Sequence, residues 1–168
     1  MTTMKKLILI LLCSMTFAQI QAQDVFRELL NNAKSIAEDT SRDIETRKIA
    51  TFKYDELSYM AMKVRDDVLR DTTDLAFFNQ SMKMLIDQAF AMHEFVQLYV
   101  NQLAAAKKPE TREVVMTLFR DASLMNPMFN DMDKELVLAY CQNDKYITQF
   151  SLDTDWIKAL EFVRTREQ

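Results

Sequence analysis

Lys53 and His93 are the two side chains whose type and placement give this sequence a handle on chemistry. On a helical wheel Lys53 falls into the same stripe as Ile49, Leu57, Met60 and Val64. An ammonium group among apolar neighbours loses hydration, which lowers its pKa and makes the amine available as a base or nucleophile. The ordinary outcome is milder: the methylenes pack while the nitrogen reaches water or a carboxylate. His93 is the single histidine of the chain, and its ordinary place is the edge of a core, hydrogen-bonded to a neighbour. With one histidine no Ser-His-Asp or Cys-His set can be assembled, and no paired carboxylates stand out. Catalytic residues therefore stay unassigned, and Lys53 and His93 are candidates for binding a ligand.

Metal and cofactor chemistry finds little support in the residue types. A di-iron bundle needs Glu-x-x-His motifs facing inward, whereas Phe90 stands three residues before His93. Covalent haem needs Cys-x-x-Cys-His, which is absent, leaving only a haem held by His93 and a methionine. Asp131, Asp133 and Glu135 alternate, as do Ser151, Asp153 and Asp155, but Leu136 and Trp156 follow where an EF-hand loop continues with glycine and a late carboxylate. Both runs lie where helices should begin, so they read as N-capping groups. The expectation is no cofactor and no metal. Cys141, in the apolar run Leu136 to Cys141, reads as a small buried hydrophobe.

The elements that position these residues follow from composition. The chain contains no glycine and only two prolines, which argues against tight hairpins, phosphate loops and bulges. Leu, Met, Ala, Glu, Lys and Arg dominate, so an all-α bundle of five to six helices is expected. The first helix spans 24–38, with Phe26, Leu29, Leu30, Ala33 and Ile36 on one face. A second starts at Thr40 or Ser41 and reaches Arg70, supported by the i,i+4 pairs Asp43–Arg47 and Asp66–Arg70. Asp71 to Asp74 forms a polar turn, making helices two and three a long antiparallel hairpin and the spine of the bundle. In helix three, Phe78, Met82, Leu85, Ala89, Met92, Val96, Tyr99 and Leu103 repeat at four- and three-residue steps. A second face of Phe77, Ala91, Phe95 and Leu98 marks this helix as central. Unbroken to Lys107 it would measure about 50 Å, implying a kink or an elongated shape. Pro109 opens helix four, Glu110 to Leu124. A fifth helix is expected over Asp131 to Cys141 and a sixth from Asp153.

Residues 1–22 read as a cleavable signal peptide: Lys5-Lys6, the apolar run Leu7 to Leu12, and Ala18 or Ala22 as the small residue before the cut. The run is too short to span a bilayer, and Leu12 before Cys13 is a poor lipidation context. A helical domain over 23–168, starting at Gln23 and secreted or periplasmic, is the expectation. Loss of Cys13 leaves Cys141 without an intramolecular partner. Loss of Lys5 and Lys6 makes the charge two units more negative than the −4 of the full chain. No basic block remains, so nucleic acid is not an expected partner.

The segment Arg47-Lys48-Ile49-Ala50-Thr51-Phe52-Lys53-Tyr54-Asp55, with Leu57 and Tyr59-Met60, resembles small exported helical bacterial proteins without an assigned activity. That resemblance implies export and an all-helical domain and transfers no site. The functional expectation is a non-catalytic interaction or scaffolding module that meets another exported or envelope protein and is not integral to a membrane. The alternative is a carrier of an apolar small molecule, with the twelve methionines and eleven phenylalanines lining a groove of roughly 300 Å³ or more. An enzyme is third.

Overall fold

The computed structural model describes residues 24–70 and 75–166. The expected signal peptide, the Asp71–Asp74 turn and the Asp66–Arg70 pair lie outside what can be described at that level. Among the described residues there are six helices and no strand, in keeping with the all-α expectation drawn from the composition. They are α1 over 24–38, α2 Ile44–Arg70, α3 Leu75–Ala105, α4 Pro109–Leu124, α5 Lys134–Val137 and α6 Trp156–Arg166.

α3 is continuous over 31 residues, roughly 46 Å at the usual rise, and it is the hub of the bundle. It meets α2, α4 and α6, and its most extensive partner is α6 rather than α2. The spine is therefore α3 with α6 and α4 as much as the expected α2–α3 hairpin. The stripe Leu85, Ala89, Met92, Val96, Tyr99 and Leu103 is buried along its length, and Phe95 on the second face is buried completely. Phe77 of that face is instead 38% exposed. Phe52, Phe95, Phe119, Phe150 and Trp156 meet edge to face, with Phe95–Phe119 at 5.0 Å and Phe95–Trp156 at 5.3 Å. These contacts follow the ring quadrupole. Phe52, Phe95, Phe119 and Phe150 thus fill the core with Trp156.

Three helices have boundaries that differ from the sequence expectation, each because a side chain or a backbone group found a better partner. α2 starts at Ile44 because Asp43, not Thr40 or Ser41, is its cap: its carboxylate accepts from the Thr46 N–H at 2.9 Å and the Thr46 hydroxyl at 2.7 Å. Arg47 then leaves Asp43 and donates to the Ala37 carbonyl at 3.1 Å, tying the end of α1 to α2. α5 is a single turn rather than a helix to Cys141. The Leu152 N–H takes the Val137 carbonyl at 2.9 Å, which a continuing helix would have offered to Cys141. α6 starts after Asp155, which accepts from the Lys158 N–H, so Asp155 and not Asp153 is the cap.

Asp153 does something else. Its carboxylate accepts three backbone N–H groups from the loop after α4: Met128 at 3.0 Å, Phe129 at 2.7 Å and Asp131 at 2.8 Å. Asn130 in that loop carries a positive φ of 51°, a conformation asparagine accepts better than most residues. Asp131 likewise caps nothing. It accepts from the Tyr59 hydroxyl at 3.0 Å and pairs with Lys63 at 2.6 Å. Asp133 is the capping group of that run, accepting from the Leu136 N–H at 3.0 Å. Hydrogen bonds within and onto the non-helical segment 148–154 carry it through the interior, Ser151 N–H on Ser123 Oγ and Thr154 Oγ1 on the Ser151 carbonyl among them, while the buried Thr148 hydroxyl has no partner among the described residues.

Candidate functional site

Lys53 comes from the middle of α2 and His93 from the middle of α3, forty positions apart in sequence. In the folded chain Lys53 Nζ lies 3.3 Å from His93 Nδ1. An ammonium group can only donate, so Nδ1 is the acceptor and the imidazole carries its proton on Nε2. Lys53 is half-buried and His93 exposed. Burial lowers the Lys53 pKa. The Lys53 charge, with a smaller contribution from burial, holds His93 below the usual histidine value, so at neutral pH the ring is uncharged and can accept. No described carboxylate pairs with Lys53, whereas Lys63 and Lys158 each sit on one.

The pair stands at the lip of a pocket of about 160 Å³. α1 contributes Leu29, Ala33 and Ile36 to its wall, α2 contributes Ile49, Ala50 and Leu57, and α3 contributes Ala89 and Met92. Asn32 and Thr46 are the other polar residues, and Thr46 is already engaged by Asp43. Ala33, Ala50 and Ala89 explain why there is space: each leaves a short side chain where three helices converge. The pocket is half the size expected of a carrier groove and contains one methionine and no phenylalanine.

Sequence reasoning chose Lys53 and His93 separately and missed that they meet. A signal was present: Lys53 stands eighteen residues before Asp71 and His93 nineteen after Asp74, so an antiparallel hairpin about that polar segment brings them level. It also missed Glu56, whose side chain is enclosed completely. Trp156 Nε1–H donates to Glu56 Oε1 at 2.8 Å, while Oε2 has no partner among the described residues. Burial pushes this carboxyl well above the usual range and the charge of Asp153 adds to that, against the Trp156 hydrogen bond. The row Phe52, Glu56, Met60 at four-residue spacing was the signal, since both neighbours are fully buried. Gln88 completes the cluster, accepting from the Trp156 backbone N–H at 2.7 Å and donating to Asp155 at 3.0 Å.

Cys141 is half-buried, donates to the Gln149 carbonyl at 3.4 Å, and burial pushes its thiol up to about 11. That is the environment of an inert thiol. Among the described residues no group of three or more His, Cys, Asp or Glu side chains is placed to hold a metal ion. No described helix is long and apolar enough to cross a membrane. No family model, curated protein or solved structure matches the chain.

Proposed function

We propose that this is an exported, non-catalytic binding protein that seats a small, largely apolar molecule between α1, α2 and α3. The observation that carries the reading is the meeting of Lys53 and His93 at the lip of an apolar pocket. Binding sites of this kind combine apolar walls with a few convergent polar groups. The pocket volume limits the ligand to about one ring, since a cavity of about 150 Å³ accommodates benzene. Lys53 has a single described polar contact, to a neutral acceptor, and no described carboxylate lies beside it to serve as a proton relay. That favours holding a ligand over transforming one.

A second reading, the interaction module, is supported by the groove between α3 and α6. Phe90 and Ile157 are 53% and 47% exposed there, with Ala91 and Leu160 beside them and the Arg164–Glu94 ion pair at the edge. An apolar stripe over a small residue has the form that receives an amphipathic helix.

The test is to purify wild type and Ala33→Leu from the host's exported fraction and compare what denaturation releases. We expect chains beginning at Gln23, equal helical circular dichroism, and one small organic species released from wild type and not from the variant. The same species from both, or none from wild type, would count against the ligand reading and leave the α3–α6 groove as the better one.

A further inference from the structure

We infer that the ligand of the α1–α2–α3 pocket is a small monocarboxylic acid, its carboxylate held by the Lys53 ammonium beside His93 and its hydrocarbon part against Ala33, Ile49, Ala89 and Met92. The inference rests on the pocket being a binding site and adds the chemical class of what fills it. An ammonium has three N–H donors. Lys53 directs one at His93 Nδ1, and no described carboxylate or carbonyl takes the other two. Other half-buried cations are matched: Lys63 by Asp131 at 2.6 Å, Lys48 by the Lys145 carbonyl at 2.5 Å and Arg47 by the Ala37 carbonyl at 3.1 Å. In a chain with 25 acidic side chains, Lys53 has no described carboxylate beside it and, unlike Lys48 and Arg47, no carbonyl either. An incoming carboxylate supplies the missing charge and takes charge-assisted hydrogen bonds.

The single charge of the site also selects. A phosphate ester would bring a second negative charge to one lysine, and Asn32 and Thr46, the remaining polar residues of the pocket, are neutral. An uncharged ring of the same size would fill the walls and leave the ammonium unmatched. An acid with a long chain exceeds a pocket of about 160 Å³.

Calorimetric titration of the full chain with benzoate, toluene and acetate tests this. Benzoate should bind at least tenfold more tightly than either other probe, because only benzoate satisfies both the wall and the ammonium. Lys53→Met keeps the packing of the stem and should weaken benzoate tenfold or more while leaving toluene unchanged; Lys53→Arg, which keeps the charge, should stay within a fewfold of wild type. Equal binding of toluene and benzoate would overturn the carboxylate inference and leave the pocket reading standing. Equal binding of acetate and benzoate would overturn it in favour of simple ion pairing at the surface. Heat from none of the three would overturn both.

Discussion

Replacing Glu56 with glutamine should make the protein more stable at neutral pH and leave it unchanged in acid. The carboxyl is fully enclosed, with Oε1 on Trp156 Nε1–H and Oε2 without a partner among the described residues. Burial, above all, raises its pKa well above the usual glutamate value of 4.5. The native state therefore keeps a proton that the unfolded chain releases near pH 4.5. Stability from this group is fully present below that pH and is lost as pH rises toward the folded pKa, with a slope of about 1.4 kcal/mol per pH unit. Glutamine keeps the shape and the acceptor for Trp156 but cannot ionise, so it lacks this loss. The variant should match wild type near pH 4.5 and gain about 1.4 kcal/mol on it over the pH unit above 5, or roughly 3–5 °C in Tm for a chain of this size. Urea unfolding followed by the fluorescence of Trp156, the only tryptophan, reads this directly. Parallel stability profiles of the two proteins from pH 4.5 to 7.5 would refute the reasoning, because they would mean that Glu56 titrates alike in both states.

Three further outcomes are expected. Lys53→Met should raise the His93 pKa toward the usual 6.5, since the Lys53 charge is the main cause of its depression; an NMR titration of the imidazole checks it, and an unmoved pKa would deny the contact. Asp153→Asn replaces one of two carboxylate oxygens that together accept from Met128, Phe129 and Asp131, so it should cost about 2–4 kcal/mol in urea unfolding; a loss under about 0.5 kcal/mol would show that the 126–131 loop is held by other contacts. Cys141, with its thiol near 11, should be alkylated at pH 8 about a hundredfold more slowly in the native protein than in urea, as peptide mass mapping would show; equal rates would contradict its burial.

Much of the helix plan was legible because it depends on local chemistry. The α3 stripe from Leu85 to Leu103 is buried where its spacing places it, and Pro109 opens α4 because its fixed φ and missing N–H suit a first turn. What sequence could not show was competition across the fold. Asp153 looks like a helix cap until the Met128–Asp131 loop supplies three backbone donors. The run from Asp131 to Cys141 looks helical until Leu152 takes the Val137 carbonyl. Glu56 drew no attention within α2 alone, and its buried acceptor is met only by Trp156 arriving from α6. Lys53 was conspicuous on its own wheel; that it meets His93 is a property of how α2 and α3 pair, which no single helix records.

The signal of the one histidine in the chain reports on whether the α1–α2–α3 pocket holds a small ligand beside Lys53 and His93. In a ¹H–¹³C spectrum of the protein titrated with benzoate, the His93 imidazole should shift saturably and the benzoate ring should show contacts to the Ala33 and Ala89 methyl groups. A His93 signal that stays in place while benzoate saturates the protein would contradict a ligand there.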